Sequence, residues 1–361
     1  MSGLQRPEQP LSLDRDVLLF FEDRDRDTFV RGDRRLRRYV RKAIGVFRPN
    51  KQQVSGFEMS FILLGRALRG IGRTVHVNDF ALARRNPRFP VGICGYSHIL
   101  DGWSLRNPAV LGPGLFDHPK QRPALMLDSR FRSYLVLSEW MKKLFRQYGP
   151  DMLDLWFGGI DLQEWPDLSR ERKDVDVLVY DKIRWNRDNL VPNLREPLLA
   201  ELARRGLSYK IVRYGRHRHE EYHKLLRRSR WMLFICEHET QGMAYQEALA
   251  SNLPVLAWDQ GYWLDPNRPL FEEEPVKASS VPYFGAECGE RFVGVNDFSP
   301  ALDRFSAGLQ RFTPRAWVRE NLSPKKSAEL YLHAYNRAAR ACIAQNRAKP
   351  SSEAPRQVAP L

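Results

Sequence analysis

Residues 234–259 read FICEHETQGMAYQEALASNLPVLAWD, and the fold is decided there. An apolar run at 231–236 has the length of a buried strand. A polar turn carrying Glu239 follows, then Gly242 opens a helix over 241–250 that carries Glu247, and 254–258 reads as the next strand. Strand, helix and strand at this spacing are the repeat of a parallel, doubly wound sheet. In such a sheet ligands bind just beyond the carboxyl ends of the strands. Gly242 lets backbone amides come close to a ligand, and the unpaired N–H groups of the helix start, with Met243 among them, favour a phosphate. A carboxylate early on the helix, Glu247, can accept two hydrogen bonds from a vicinal diol, as acidic residues do with ribose. Together these features describe a site for a phosphate and a sugar.

The same alternation extends outward. In the C-terminal half, strands are expected at 175–180 and 209–212 and helices at 194–205 and 220–227. In the N-terminal half, strands are expected at 17–21 (VLLFF), 74–77, 91–94 and 133–137, with a helix on Met59, Ile62, Leu63 and Ala67 and another over 139–148 that stops at Gly149-Pro150. The polar segment GGIDLQEWPDLSRERKD, starting at Gly158, reads as a hinge. The expectation is an α/β chain of two Rossmann-like domains facing a cleft, an N-terminal domain over 1–160 and a C-terminal domain over 161–322 that carries the phosphate-and-sugar site. Ser323-Pro324 is a good helix start; it opens a helix over 323–346 whose Ala328, Tyr331, Leu332, Tyr335 and Ala339 share one face and pack back toward the N-terminal domain. Residues 347–361 have the composition of a disordered tail.

The chain has 361 residues, enough for two cores. Its 58 Lys and Arg against 43 Asp and Glu give a formal net charge of +15, which calls for an anionic partner or surface. Over residues 31–48, Leu36, Tyr39, Val40, Ala43, Ile44 and Phe47 recur at helical spacing opposite Arg34, Arg35, Arg38, Arg41 and Lys42, a basic amphipathic helix suited to an anionic membrane surface. The four cysteines are far apart and form no CxxC pair, which fits a reducing cytoplasm, and no run is long and apolar enough to span a bilayer. The expected location is cytoplasmic, with peripheral contact at the inner membrane face.

The segment around the two glutamates resembles the C-terminal domain of the family 4 (group 1) retaining nucleotide-sugar glycosyltransferases, which have the two-domain GT-B fold. The resemblance lies in Glu239-TQGMAYQ-Glu247 followed by Ala248, Ala250, Pro254 and Val255, with Asn252 where the family usually has glycine; asparagine is among the residues that best tolerate a left-handed backbone. A weaker likeness covers roughly residues 54–340. The resemblance implies that Glu247 holds the ribose, Glu239 faces the transferred sugar, and Gly56 belongs to a glycine loop near the diphosphate. It also implies a pair of cations after the first strand of the second domain; Lys182 and Arg187 have that spacing, with Arg184 between them, though Asp181-Lys182 stands where the family has Gly-Arg. Such cations could stabilise a leaving nucleoside diphosphate without a metal. The family often carries a first-domain histidine beside the reacting carbon, for which His98 is the candidate and His118 the alternative. The implied activity is transfer of a sugar, with retention, from a nucleoside-diphosphate sugar to a lipid-linked or polysaccharide acceptor, with no cofactor and no metal required.

Rival readings have weaker support. HEEYH, with His219, Glu220 and His223, matches a zinc-protease pattern, but short motifs recur by chance and this helix is strongly basic. The DVD at Asp174 and Asp176 precedes a strand, and the DRD copies at 14–16 and 23–27 carry arginine between the carboxylates, so ion pairs are expected in place of a metal. The charge would allow nucleic-acid binding, but no motif for it is present and none is expected. A sugar-nucleotide epimerase on the same fold is the nearer alternative.

Overall fold

The first apolar run forms β1 (Asp16–Glu22), buried over 16–20, with a parallel neighbour on each side. A strand covered on both faces needs an unbroken run of large apolar residues, and Val17, Leu18, Leu19 and Phe20 are all fully buried. The computed structural model describes residues 10–22, 55–146 and 149–348. The basic segment at 31–48 and the tail from 349 lie outside them.

In the first domain β1 is followed by α1 (Gly56–Gly70), β2 (Thr74–Val77), α2 (Phe80–Arg85), β3 (Val91–Tyr96), β4 (Ala109–Leu115), β5 (Phe131–Val136), α3 (Glu139–Arg146) and β6 (Leu153–Leu155). The sheet is parallel throughout, in the order β2-β1-β3-β4-β5-β6. Ser55 caps α1 by accepting the Glu58 amide at 3.2 Å. β4 lies inside the sheet although its sequence contains Gly112-Pro113-Gly114. The register against β3 slips between Ile93 and Gly95, so that proline, which has no N–H, falls where the ladder does not need one.

The second domain contains β7 (Val175–Lys182), α4 (Arg187–Leu190), α5 (Glu196–Arg204), β8 (Tyr209–Arg213), α6 (His219–Arg228), β9 (Ser229–Cys236), α7 (Met243–Ala250), β10 (Val255–Trp258), β11 (Gly289–Phe292), α8 (Val295–Gly308) and α9 (Pro314–Asn321). Its sheet is also parallel, ordered β11-β10-β9-β7-β8, which leaves β8 at one edge. Two Rossmann-like domains are therefore present.

The last helix, α10 (Pro324–Ala348), packs on α1 and on β4, β5 and β6. Its buried face, Ala328, Tyr331, Leu332, Ala334, Tyr335 and Ala338, belongs to the apolar core of the first domain. The Tyr335 hydroxyl accepts from the Leu18 amide at 2.9 Å and donates to the Pro90 carbonyl at 2.5 Å, in a fully buried setting. Tyr335→Phe strands both backbone groups, so a loss of about 1–3 kcal/mol is expected, read as a lower urea midpoint with an unchanged slope.

Candidate functional site

Successive side chains of a strand leave on opposite faces, and this sorts the two residues that end β7. Asp181 turns inward, fully buried, and is gripped by Arg187 at 2.8 and 2.7 Å and by Arg195 at 2.8 Å. Lys182 turns to the cleft and forms an ion pair with Glu239, its ammonium 4.4 Å from the centre of the Tyr214 ring. Burial disfavours the charged lysine, but the Glu239 carboxylate, with smaller help from Cys236 and Tyr214, offsets it and holds the Lys182 pKa above the usual lysine value.

Glu239 follows β9, and its backbone joins two parts of the molecule. Its amide donates to the Ser279 carbonyl at 2.9 Å, and its carbonyl accepts the indole N–H of Trp140, on α3 of the first domain, at 2.8 Å. Three residues on, Gly242 has φ +85°, and a Cβ there would stand 2.1 Å from Cε1 of Tyr245, so both backbone and space require glycine. The turn it makes starts α7 at Met243, with the first amides of the helix unpaired by geometry. One turn further along, Glu247 is partly open to the cleft and otherwise surrounded by protein. Burial pushes its pKa up to about 8; Lys182 opposes the shift and Glu164 adds to it.

These groups line one cleft of about 770 Å³ between the domains. Gly56, Lys182, Glu239, Gly242, Met243 and Glu247 all border it, as do Ser55 and Phe57 at the start of α1 and, after β8, Tyr214, Gly215, His217, Arg218 and His219. Three helix starts, that of α1 from the first domain and those of α6 and α7 from the second, thus meet the same space. The chemistry available is a fixed ammonium, orphan amides, a charge-balanced carboxylate and a carboxylic acid that is mostly neutral at pH 7.

Four of the candidate residues are elsewhere. Arg187 does not line the cleft; both arms of its guanidinium are spent on Asp181. Arg184 is also turned aside, donating to the His238 carbonyl at 2.5 Å and facing Glu237 at 3.6 Å. His98 lies in the short turn after β3, stacked with Tyr96, and does not border the cleft. The alternative, His118, is fully buried, with Nε2 2.8 Å from the Glu272 carboxylate and its ring stacked on Phe271. Burial lowers the His118 pKa, against the pull of Glu272.

One site residue was not visible in the sequence. Gln241 accepts from the Gly158 amide at 2.9 Å and donates to the Gly158 carbonyl at 2.8 Å, so it fastens the interdomain hinge to the loop between the two glutamates. The only signal was a glutamine in a polar turn, and its partner lies 83 positions away.

Of HEEYH, His219 and His223 bring their Nε2 atoms to 2.9 Å and pack on Trp165. Among the described residues no group of three or more His, Cys, Asp or Glu is arranged to hold a metal ion. Asp174 pairs with Arg228, Asp176 with Arg230, and Asp16 with Arg15 and His76. Among the described residues no helix is long and apolar enough to cross a membrane.

No protein-family model matches the chain, and no curated protein matches it. Three solved structures illustrate what it is similar to. A mutant of S. aureus TarM, in complex with Fondaparinux, alpha-GlcNAc-glycerol and UDP, is 11% identical over 68% of this chain and 55% of that one, with a TM-score of 0.44. The pneumococcal O-GlcNAc transferase GtfA, in complex with UDP and GlcNAc, is 12% identical over 72% and 60%, with a TM-score of 0.43. Sucrose-phosphate synthase from Thermosynechococcus elongatus is 12% identical over 89% and 98%, with a TM-score of 0.49. The chain spans little more than half the length of TarM. Likeness at this level carries no argument about activity, which rests on the cleft itself.

Proposed function

We propose that the protein is a glycosyltransferase that takes a nucleoside-diphosphate sugar into the interdomain cleft and moves the sugar, with retention, to a lipid-linked or polysaccharide acceptor. The observation that carries this reading is the meeting of Lys182, Glu239, the Gly242–Met243 helix start and Glu247 around one cleft. Glu247 holds the ribose diol. The amides at Gly242 and Met243 and those beside Gly56 take the diphosphate. Lys182 stabilises the charge that grows on it as the sugar leaves, where a preoriented cation needs no reorganisation. Glu239, already balanced by Lys182, faces the sugar without repelling the diphosphate. Arg187 acts one step back: with Arg195 it pins Asp181 and so fixes the end of β7 from which Lys182 projects. No metal is assigned a role. The first domain supplies the acceptor surface on its own side of the cleft, and the basic segment at 31–48 would bring it to an anionic inner membrane face.

A thermal-shift panel of UDP, GDP, ADP and their sugars tests this. One base is expected to stand out, stabilising the protein by about 2.7 kcal/mol at one hundred times its dissociation constant. No response to any nucleoside diphosphate at millimolar concentration would overturn the reading.

A further inference from the structure

The stretch from Arg204 to Arg230 is dense in arginine, and most of it is neutralised locally. Arg204 and Arg205 pair with Glu201, Arg227 with Glu171, Arg228 with Asp174 and Arg230 with Asp176. Arg213, Arg216 and Arg218 are the exception, with no carboxylate at ion-pair distance among the described residues. Arg213 ends β8, the edge strand, at the carboxyl end of the sheet, where ligands of parallel sheets gather. Arg216 and Arg218 follow in an open turn whose Gly215, at φ +72°, would meet nothing within 4 Å if it carried a Cβ. Behind them stand Arg187 and Arg195, which share Asp181. Burial and the positive charges of Arg187, Arg216 and Arg195 hold the Arg213 pKa below the usual arginine value, with Asp181 only partly opposing them. The charge here is therefore unbalanced, in a molecule that balances it on either side along the chain.

The patch adjoins the cleft without being its floor. Tyr214, Gly215, His217 and Arg218 border the cleft, whereas Arg213 and Arg216 do not. Guanidinium groups suit phosphate because they offer paired donors in a fixed plane. We propose that Arg213, Arg216 and Arg218, backed by Arg187 and Arg195, form a phosphate subsite at the cleft mouth, separate from the donor diphosphate, that holds a phosphate group of an anionic acceptor. This rests on the transferase reading only for the word acceptor; the subsite itself can be measured without turnover. Its phosphate could come from a phosphate-bearing polymer or from a lipid headgroup.

The test uses the full chain without an affinity tag. Inorganic polyphosphate is titrated at several salt concentrations into the parent and into Arg213→Gln/Arg216→Gln, and phosphatidylglycerol vesicles are tested by co-sedimentation. The double variant is expected to bind polyphosphate about tenfold or more weakly, with the slope of log affinity against log salt reduced by about one to two, and Arg213→Lys/Arg216→Lys is expected to recover part of the loss. Loss of vesicle binding with polyphosphate binding intact would keep the phosphate subsite and assign it to lipid. Equal binding of both probes by parent and double variant would overturn it. Nucleoside diphosphate binding, measured in parallel, is expected to be unchanged in the double variant and so also reports on its folding. If no nucleotide binds to either protein while the polyphosphate difference persists, the transferase reading fails and the subsite stands.

Discussion

Lys182→Met is expected to lower the rate of transfer about 10²–10³-fold, the usual cost of removing one preoriented stabiliser of developing negative charge. The same change should destabilise the fold by roughly 3–5 kcal/mol, because it leaves Glu239, only 7% exposed, without its counter-ion. The two effects separate in a second variant. In Lys182→Met/Glu239→Gln the buried charge is gone, so the urea midpoint should return most of the way to the parent, while turnover stays low because the cation is still missing. Stability lost and recovered, with kcat in the double variant still well below that of Glu239→Gln alone, would identify Lys182 as acting on the reacting diphosphate. Turnover that recovers with the midpoint would show that the pair is only a structural bridge between β7 and the loop after β9.

That Glu239, Gly242 and Glu247 come together at one cleft could be read from the sequence because they sit in one strand–turn–helix segment whose geometry is local. The left-handed backbone at Asn252, φ +65°, is of the same kind: a short polar residue stands where glycine is usual and adopts the conformation glycine would. Features that depend on the faces of a strand or on distant partners were hidden. Arg187 has a suitable spacing from Lys182, but spacing does not tell that Asp181 leaves β7 on the opposite face and captures it. His98 follows a strand end, as a site residue should, yet the short turn after β3 stacks it on Tyr96. β4 is hidden in the sequence because Gly-Pro-Gly signals a turn, and only the slipped register against β3 lets a proline lie inside a sheet. The hinge contact between Gln241 and Gly158 needs both domains in place before it exists at all.

Glu247 ties the site to pH in two measurable ways. Its ordinary value is 4.5, and burial raises it to about 8 in the folded protein without nucleotide. Between these values the native state keeps a proton that the unfolded chain releases, so this residue makes stability fall as pH rises from about 4.5 to about 8 and level off above, by at most roughly 5 kcal/mol. Glu247→Gln removes the titration, and its melting temperature should lose that component of pH dependence. Binding runs the other way. A ribose diol donates to the ionised carboxylate, so below about pH 8 each binding event must expel a proton, and nucleotide affinity should weaken as pH falls, by up to about tenfold per unit. Affinity in Glu247→Gln should be low and flat across the range, and Glu247→Ala should bind no nucleotide detectably while keeping its fold, since the side chain is already partly open to the cleft. An amide at 247 that preserves both the affinity and its slope with pH would remove the ribose from this residue. A neutral acid at rest would also let a carboxyl group stand in the cleft proposed to receive a diphosphate: the negative charge on Glu247 develops only when the hydroxyls of the diol are there to donate to it.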